Sequence, residues 1–153
     1  MELPVNAHIP HDYVPGERLR LEAYTRIAAT DSEADVTATL EELTDRYGEP
    51  PEPVLNLLEV ARLRTAARRA GLTDITAAGN HIRFAPVELP DSRQVRVQRL
   101  YPKTVLKPTV RTMLVPVPKT APIGGQPLRD TELLAWSGQV IRSVLADLPG
   151  AAT

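Results

Sequence analysis

Between the proline cluster Pro50, Pro51 and Pro53 and the glycine at Gly71 runs an apolar pattern with helical spacing. Val54, Leu57, Leu58 and Ala61 recur at three- and four-residue intervals, and a second row of Val60, Leu63 and Ala67 widens the stripe. Pro53 suits a first helical turn, where its missing N–H has no partner to lose. Arg68 and Arg69 fall in the last turn, where the carbonyl end of the helix dipole favours cations, and Gly71 closes it. A helix with so broad an apolar side must be covered by the rest of the chain.

Two shorter stretches precede it. From Glu17, Leu19, Ala23 and Ile27 repeat every four residues, with Tyr24 and Ala28 beside them, until Thr30 and Asp31. Ser32 is a good N-cap, with Asp35 three residues on as a capping-box variant. Val36, Leu40, Leu43 and Tyr47 then form a second stripe that Gly48 ends. The spacing predicts helices over about 17–29, 33–47 and 53–70. Pro4, Pro10 and Pro15 make residues 1–15 an extended N-terminal arm ahead of a single domain, 16–149, with a tail at 150–153.

After Gly71 the period changes. Ile75 and Ala77 before Gly79-Asn80, and Ile82 and Phe84 after it, read as a hairpin with a primed turn. Pro90 and Asp91 open a helix through Val95, Val97 and Leu100 that Pro102 stops. Val105–Leu106 and Met113–Val117 give two more strands, with Pro108 between them. Pro116 and Pro118 confine the latter to an edge or terminal position. Sheet and helices thus occupy 73–117, a loop 118–127, and a final helix about 130–148. That helix is interrupted at Gly138 and stopped by Pro149-Gly150. Helices first, then a small antiparallel sheet with flanking helices, is an α+β architecture.

At 153 residues the chain supports one domain that needs neither disulfide nor structural metal to fold. It has no cysteine, which excludes disulfide frameworks and thiolate chemistry and fits a reducing, cytoplasmic setting. No apolar run approaches the roughly 18–20 residues of a membrane span. The opening MELPVNAHIPHDYVPG lacks the basic and apolar regions of a signal peptide.

The formal net charge of −1 conceals a segregation. Residues 1–59 carry 13 acidic side chains against four basic, and residues 60–120 carry 12 basic against three acidic. Such a chain presents two surfaces suited to different partners, or halves that attract each other.

Catalytic signatures are lacking. The Lys-Thr pairs sit in YPKT and VPKT, where proline replaces the glycine of a phosphate loop, and there is no G-x-G-x-x-G. His8 and His11 have H-x-x-H spacing beside Asp12, but Pro10 breaks the helix that would align the rings, and His81 is expected to be exposed. Ser32, Ser92, Ser137 and Ser143 lie in cap or helix contexts without a nucleophile elbow. No metal or cofactor is expected; a hydrolase would need an unrecognised pocket of titratable groups.

Two charged clusters remain. Arg93, Arg96 and Arg99 recur every three residues on one helical face, and Lys103, Lys107 and Arg111 continue the basic trend. This suits a nucleic-acid-binding module over 93–111, with only Phe84 and Tyr101 nearby to stack on bases. Glu41, Glu42 and Asp45 lie near the C-terminal end of the second helix, off its apolar stripe. Like charges three and four residues apart each cost about 0.2–0.5 kcal/mol, and the dipole disfavours anions there. Arg46, four residues after Glu42, relieves part of this. An acidic patch held against local electrostatics points either to a solvated face or to a basic partner surface.

Two stretches then identify a family. His8–Ala28 carries Ile9, Pro10, Asp12-Tyr13, Pro15, Arg18-Leu19 and Tyr24. Glu42–Gly71 carries Asp45-Arg46-Tyr47-Gly48, Pro50, Pro53, Leu57-Leu58 and Ala61-Arg62-Leu63-Arg64. Together they resemble the C-terminal domain of bacterial transcription-repair coupling factors, over about one third of the chain; the later strands and final helix match only in outline. The resemblance implies a non-enzymatic piece of an ATP-driven double-stranded-DNA translocase that displaces stalled RNA polymerase. Met1 before Glu2-Leu3-Pro4 fits an added start. It further implies a regulatory domain that masks the N-terminal module recruiting the excision-repair damage-recognition ATPase (UvrA), and that is released when polymerase is engaged. In the family that contact uses acidic residues matching Glu42 and Asp45, facing arginines.

Overall fold

The chain folds, in a computed structural model describing residues 3–120 and 123–145, as three helices followed by a sheet and two further helices. The three are α1 (Glu17–Ala28), α2 (Glu33–Tyr47) and α3 (Glu52–Arg69). Ser32 caps α2 as expected, its hydroxyl accepting from the Asp35 N–H at 3.1 Å. The Asp35 carboxylate does not complete a capping box; it is drawn to Arg26 of α1 instead. At the end of α3, Gly71 takes φ +77°, the Gly71 N–H donates to Arg68 O and the Leu72 N–H to Ala67 O. This is the double closure that a left-handed glycine permits.

The helix α3 is the spine. Val54, Leu58 and Ala61 join Ile27, Val36 and Leu43 in one core, while Leu63 and Ala67 join a second core built on the sheet. Its two apolar rows therefore serve different halves of the molecule. Leu58 is almost wholly buried, so Leu58→Ala is expected to cost about 2–5 kcal/mol.

Of the extended arm expected over 1–15, residues 3–10 have no helix or strand and lie along both cores, but residues 11–14 form a turn in which the Tyr13 and Val14 N–H groups donate to Pro10 O at 3.1 and 3.2 Å. Leu3 and Val5 pack on the sheet core, and Ile9 and Val14 are buried among the three helices. The His8 N–H donates to Pro53 O at 3.2 Å, and the Ile9 N–H to the Tyr24 hydroxyl at 2.7 Å. Tyr24 itself is exposed, as is Ala28.

The sheet comprises β1 (Asp74–Ala78), β2 (His81–Ala85), β3 (Val105–Lys107) and β4 (Thr112–Pro116), antiparallel in the order β1-β2-β4-β3. Ala78 pairs with His81 across a two-residue turn. Gly79 has φ +61° and Asn80 does not have positive φ, as in a type II′ hairpin. His81 is half-buried, not exposed, because it is a paired strand residue opposite Pro116. The edge position read from Pro116 is corrected: β4 is an inner strand. Pro116 is tolerated because it is the last residue of the strand and needs no further ladder donor there.

Between β2 and β3 lies α4 (Asp91–Leu100). Of its apolar residues only Val97 is buried; Val95 and Leu100 are exposed, contrary to the apolar stripe drawn through them. The last helix, α5 (Asp130–Val140), is unbroken at Gly138. The irregularity comes later, as a π-helical turn over Ile141–Leu145. Pro149-Gly150 and the tail at 150–153 lie outside the described residues.

Two helix starts are tied together at Asn56. Asn56 is buried, its amide donates to Asn6 O at 2.9 Å, and it accepts from the Thr131 hydroxyl of α5. The Asn6 N–H donates in turn to the Asp130 carboxylate at 2.8 Å. The extended segment thus fastens α3 and α5 side by side.

A candidate docking surface on the second helix

Val36, Thr39 and Leu43 turn inward from α2, which places Glu41 and Asp45 on the opposite, exposed side. Glu42 lies on the flank, two turns after Asp35, and both face α1. Arg26 of α1 reaches between them: its Nη2 is 3.2 Å from Asp35 Oδ1 and its Nε 3.3 Å from Glu42 Oε2. One guanidinium serves two carboxylates, so the three groups still sum to one negative charge. Glu41 and Asp45 have no ion-pair or hydrogen-bond partner among the described residues.

The relief expected from Arg46 does not occur. Its guanidinium carbon sits 5.1 Å from the centre of the Tyr47 ring, where the π face attracts it, and it does not reach Glu42. The carbonyl end of α2 is satisfied by a neutral donor: the Tyr13 hydroxyl lies 2.9 Å from Gly48 O and 3.2 Å from Leu43 O. Burial pushes the Tyr13 phenol above its ordinary pKa, and neighbouring Tyr47 adds to the effect. Arg46 puts one cation in this last turn but is turned to the Tyr47 ring, and Asp45 stays exposed with no ion-pair partner among the described residues.

The basic residues divide. Arg93 is half-buried and turns inward, its Nη1 donating to Val144 O at 2.9 Å, so it does not share the outer face with its neighbours. Arg96, Arg99, Lys103 and Lys107 are exposed and without partners among the described residues. Arg111 stands 3.9 Å from Glu88.

His8 Nδ1 bonds Asn6 Oδ1 at 3.0 Å, and no cluster of metal-ligating residues occurs among the described residues. Among those residues every buried side-chain polar atom has a partner, and no helix is long and apolar enough to cross a membrane. A cleft of about 590 Å³ lies between α3 and α5 and is lined by no serine, cysteine or histidine. Sequence reasoning missed Arg26 as the partner of Glu42 because the contact joins two helices. It missed Asn56 because a lone asparagine on a helical stripe carries no signal of its own.

The TRCF domain family matches residues 3–98, from the extended segment into α4. The chain belongs to the transcription-repair-coupling factor (TRCF) family. The transcription-repair-coupling factor of Mycobacterium tuberculosis is 46% identical over 145 residues, which is 94% of this chain and 12% of that protein. That of Escherichia coli is 36% identical over 87 residues, 56% of this chain and 8% of that protein. The chain thus spans about an eighth of the length of its mycobacterial relatives. Its structure is similar to the crystal structure of a transcription-repair coupling factor C-terminal domain, with a TM-score of 0.73 at 18% identity. The likeness covers 97% of this chain and 94% of that one. The α+β fold is that of the TRCF C-terminal domain, including the last third that the sequence motifs do not reach.

Proposed function

We propose that this TRCF chain is a regulatory interaction domain whose acidic α2 face docks on a basic module of the same longer polypeptide. Its support is the exposed Asp45 at the carbonyl end of α2, without a partner among the described residues, with Glu41 one turn before it and Glu42 tied, like Asp35, to Arg26. Carboxylates held where like charges and the dipole oppose them gain most from cations brought by a partner. In the whole factor, a cytoplasmic DNA translocase acting on stalled RNA polymerase, the docked state covers the module that recruits the excision-repair ATPase. The chain itself carries out no catalysis and holds no cofactor. The test is charge reversal at Glu42 and Asp45 in the full-length factor, with titration of the repair ATPase. Tighter binding by the reversed protein is the expected outcome, and equal binding contradicts the reading.

The four exposed cations Arg96, Arg99, Lys103 and Lys107 favour a second reading, contact with duplex DNA. It requires affinity that falls steeply with salt as counterions are released. A mobility assay at low salt that shows no shift disposes of it.

A further inference from the structure

We infer that the groove between α3 and α5 is a docking site for an acidic amphipathic helix of a partner protein. The Asn56–Thr131 hydrogen bond sets the first turns of the two helices side by side. At about 1.5 Å of rise per residue, Arg69 then comes roughly level with the π-helical turn that carries Arg142. The groove between them holds about 590 Å³, within the range of formed binding sites.

Small side chains line it between the charged ends. Ala135 is exposed and Ala66 and Ala70 are half-buried, and their methyl groups let another helix approach closely. The backbone groups of α3 and α5 are spent within their own helices, so an extended segment would find no edge to pair with. A helix, which satisfies its own backbone, fits this groove.

Charge sets the occupant's sign and direction. Arg69 and Arg142 are exposed, line the groove at its C-terminal end and have no partner among the described residues. Gly138 gives the Arg142 guanidinium its seat, since a Cβ there would stand 3.2 Å from Arg142 Nη1. Toward the other end, Arg62 is shared by Glu33 and Glu59, which leaves one net negative charge. A bound helix therefore places its carboxylates over Arg69 and Arg142. Duplex DNA does not fit, because its phosphates would meet Glu33 and Glu59.

The test is methyl NMR of the full chain with two synthetic helical peptides of alanine and leucine, one bearing glutamates at one end and one bearing lysines there. The glutamate peptide is expected to shift the methyls of Ala66, Ala70 and Ala135, and Arg69→Glu with Arg142→Glu to weaken it by about tenfold or more. Ala135→Phe, which fills the groove without changing charge, should weaken it as well, and Glu41→Arg with Asp45→Arg should leave it unchanged. The proposal is overturned by any of four results: no shift at about 1 mM peptide; equal binding of the lysine peptide; binding that requires removal of residues 146–153, which would give the groove to the chain's own end; or the same methyls responding to duplex DNA.

Discussion

Arg26 Nε lies 3.3 Å from Glu42 Oε2, and the same guanidinium holds Asp35 Oδ1 at 3.2 Å. The acidic cluster of α2 is thereby split into a tethered Glu42 and two members, Glu41 and Asp45, without a partner among the described residues. Both partners of the contact are partly exposed, 37% for the Arg26 side chain and 48% for that of Glu42, so each pair contributes no more than about 1 kcal/mol. Competition from a partner's arginines can displace such a contact, which makes Arg26 the residue that sets how available Glu42 is.

Arg26→Ala is accordingly expected to have opposite effects on stability and docking. Urea denaturation should show a loss of about 0.5–1 kcal/mol, from two partly exposed pairs. Titration against the basic module should show tighter binding, by several-fold, because Glu42 is released.

Asn56→Ala should be among the costliest single changes outside the apolar cores. It strands the Asn6 carbonyl and the Thr131 hydroxyl and unfastens α3 from α5. A loss of about 2–3 kcal/mol is expected, read as a fall in the denaturation midpoint with an unchanged slope.

The Tyr13 hydroxyl predicts a pH dependence. Its pKa is raised in the folded chain, so the unfolded chain gives up the proton first as pH rises. The contribution of Tyr13 is complete below the ordinary phenol value of about 10 and declines as pH climbs through the folded value. Tyr13→Phe should cost about 1 kcal/mol near neutrality, from lost bonds to the end of α2, and should flatten the alkaline fall in stability.

The elements that local spacing defines were readable. The α3 stripe, the Ser32 cap, the Gly71 closure and the Gly79-Asn80 hairpin each follow from a few adjacent residues, and the structure has all four. What depends on residues far apart in the chain was not. Pro116 forbids a donor at one position but says nothing of which strands lie on either side, so the edge alternative read from it fails: β4 is an inner strand with Pro116 as its last residue. Val95 and Leu100 follow the helical period of α4 yet face outward, because only Val97 meets the core. Gly138 looked like a break, but buried against neighbouring helices it is held in helical geometry, and its missing side chain accommodates Arg142. At the docking surface, the positions of Glu41, Glu42 and Asp45 were legible from the α2 stripe. The hold of Arg26 on Glu42 and the capture of Arg46 by Tyr47 are tertiary choices with no sequence period.

On the proposed function, Glu41 and Asp45, without partners among the described residues, meet cations from the same polypeptide. The most direct measurement of this is a titration of this chain with the N-terminal repair-recruiting module at several salt concentrations, for the natural sequence and for Glu41→Arg with Asp45→Arg. The natural chain should bind with an affinity that falls as salt rises, and the reversed chain should bind at least about tenfold more weakly with its fold intact. An equal affinity and an equal salt dependence for the two chains would contradict the account.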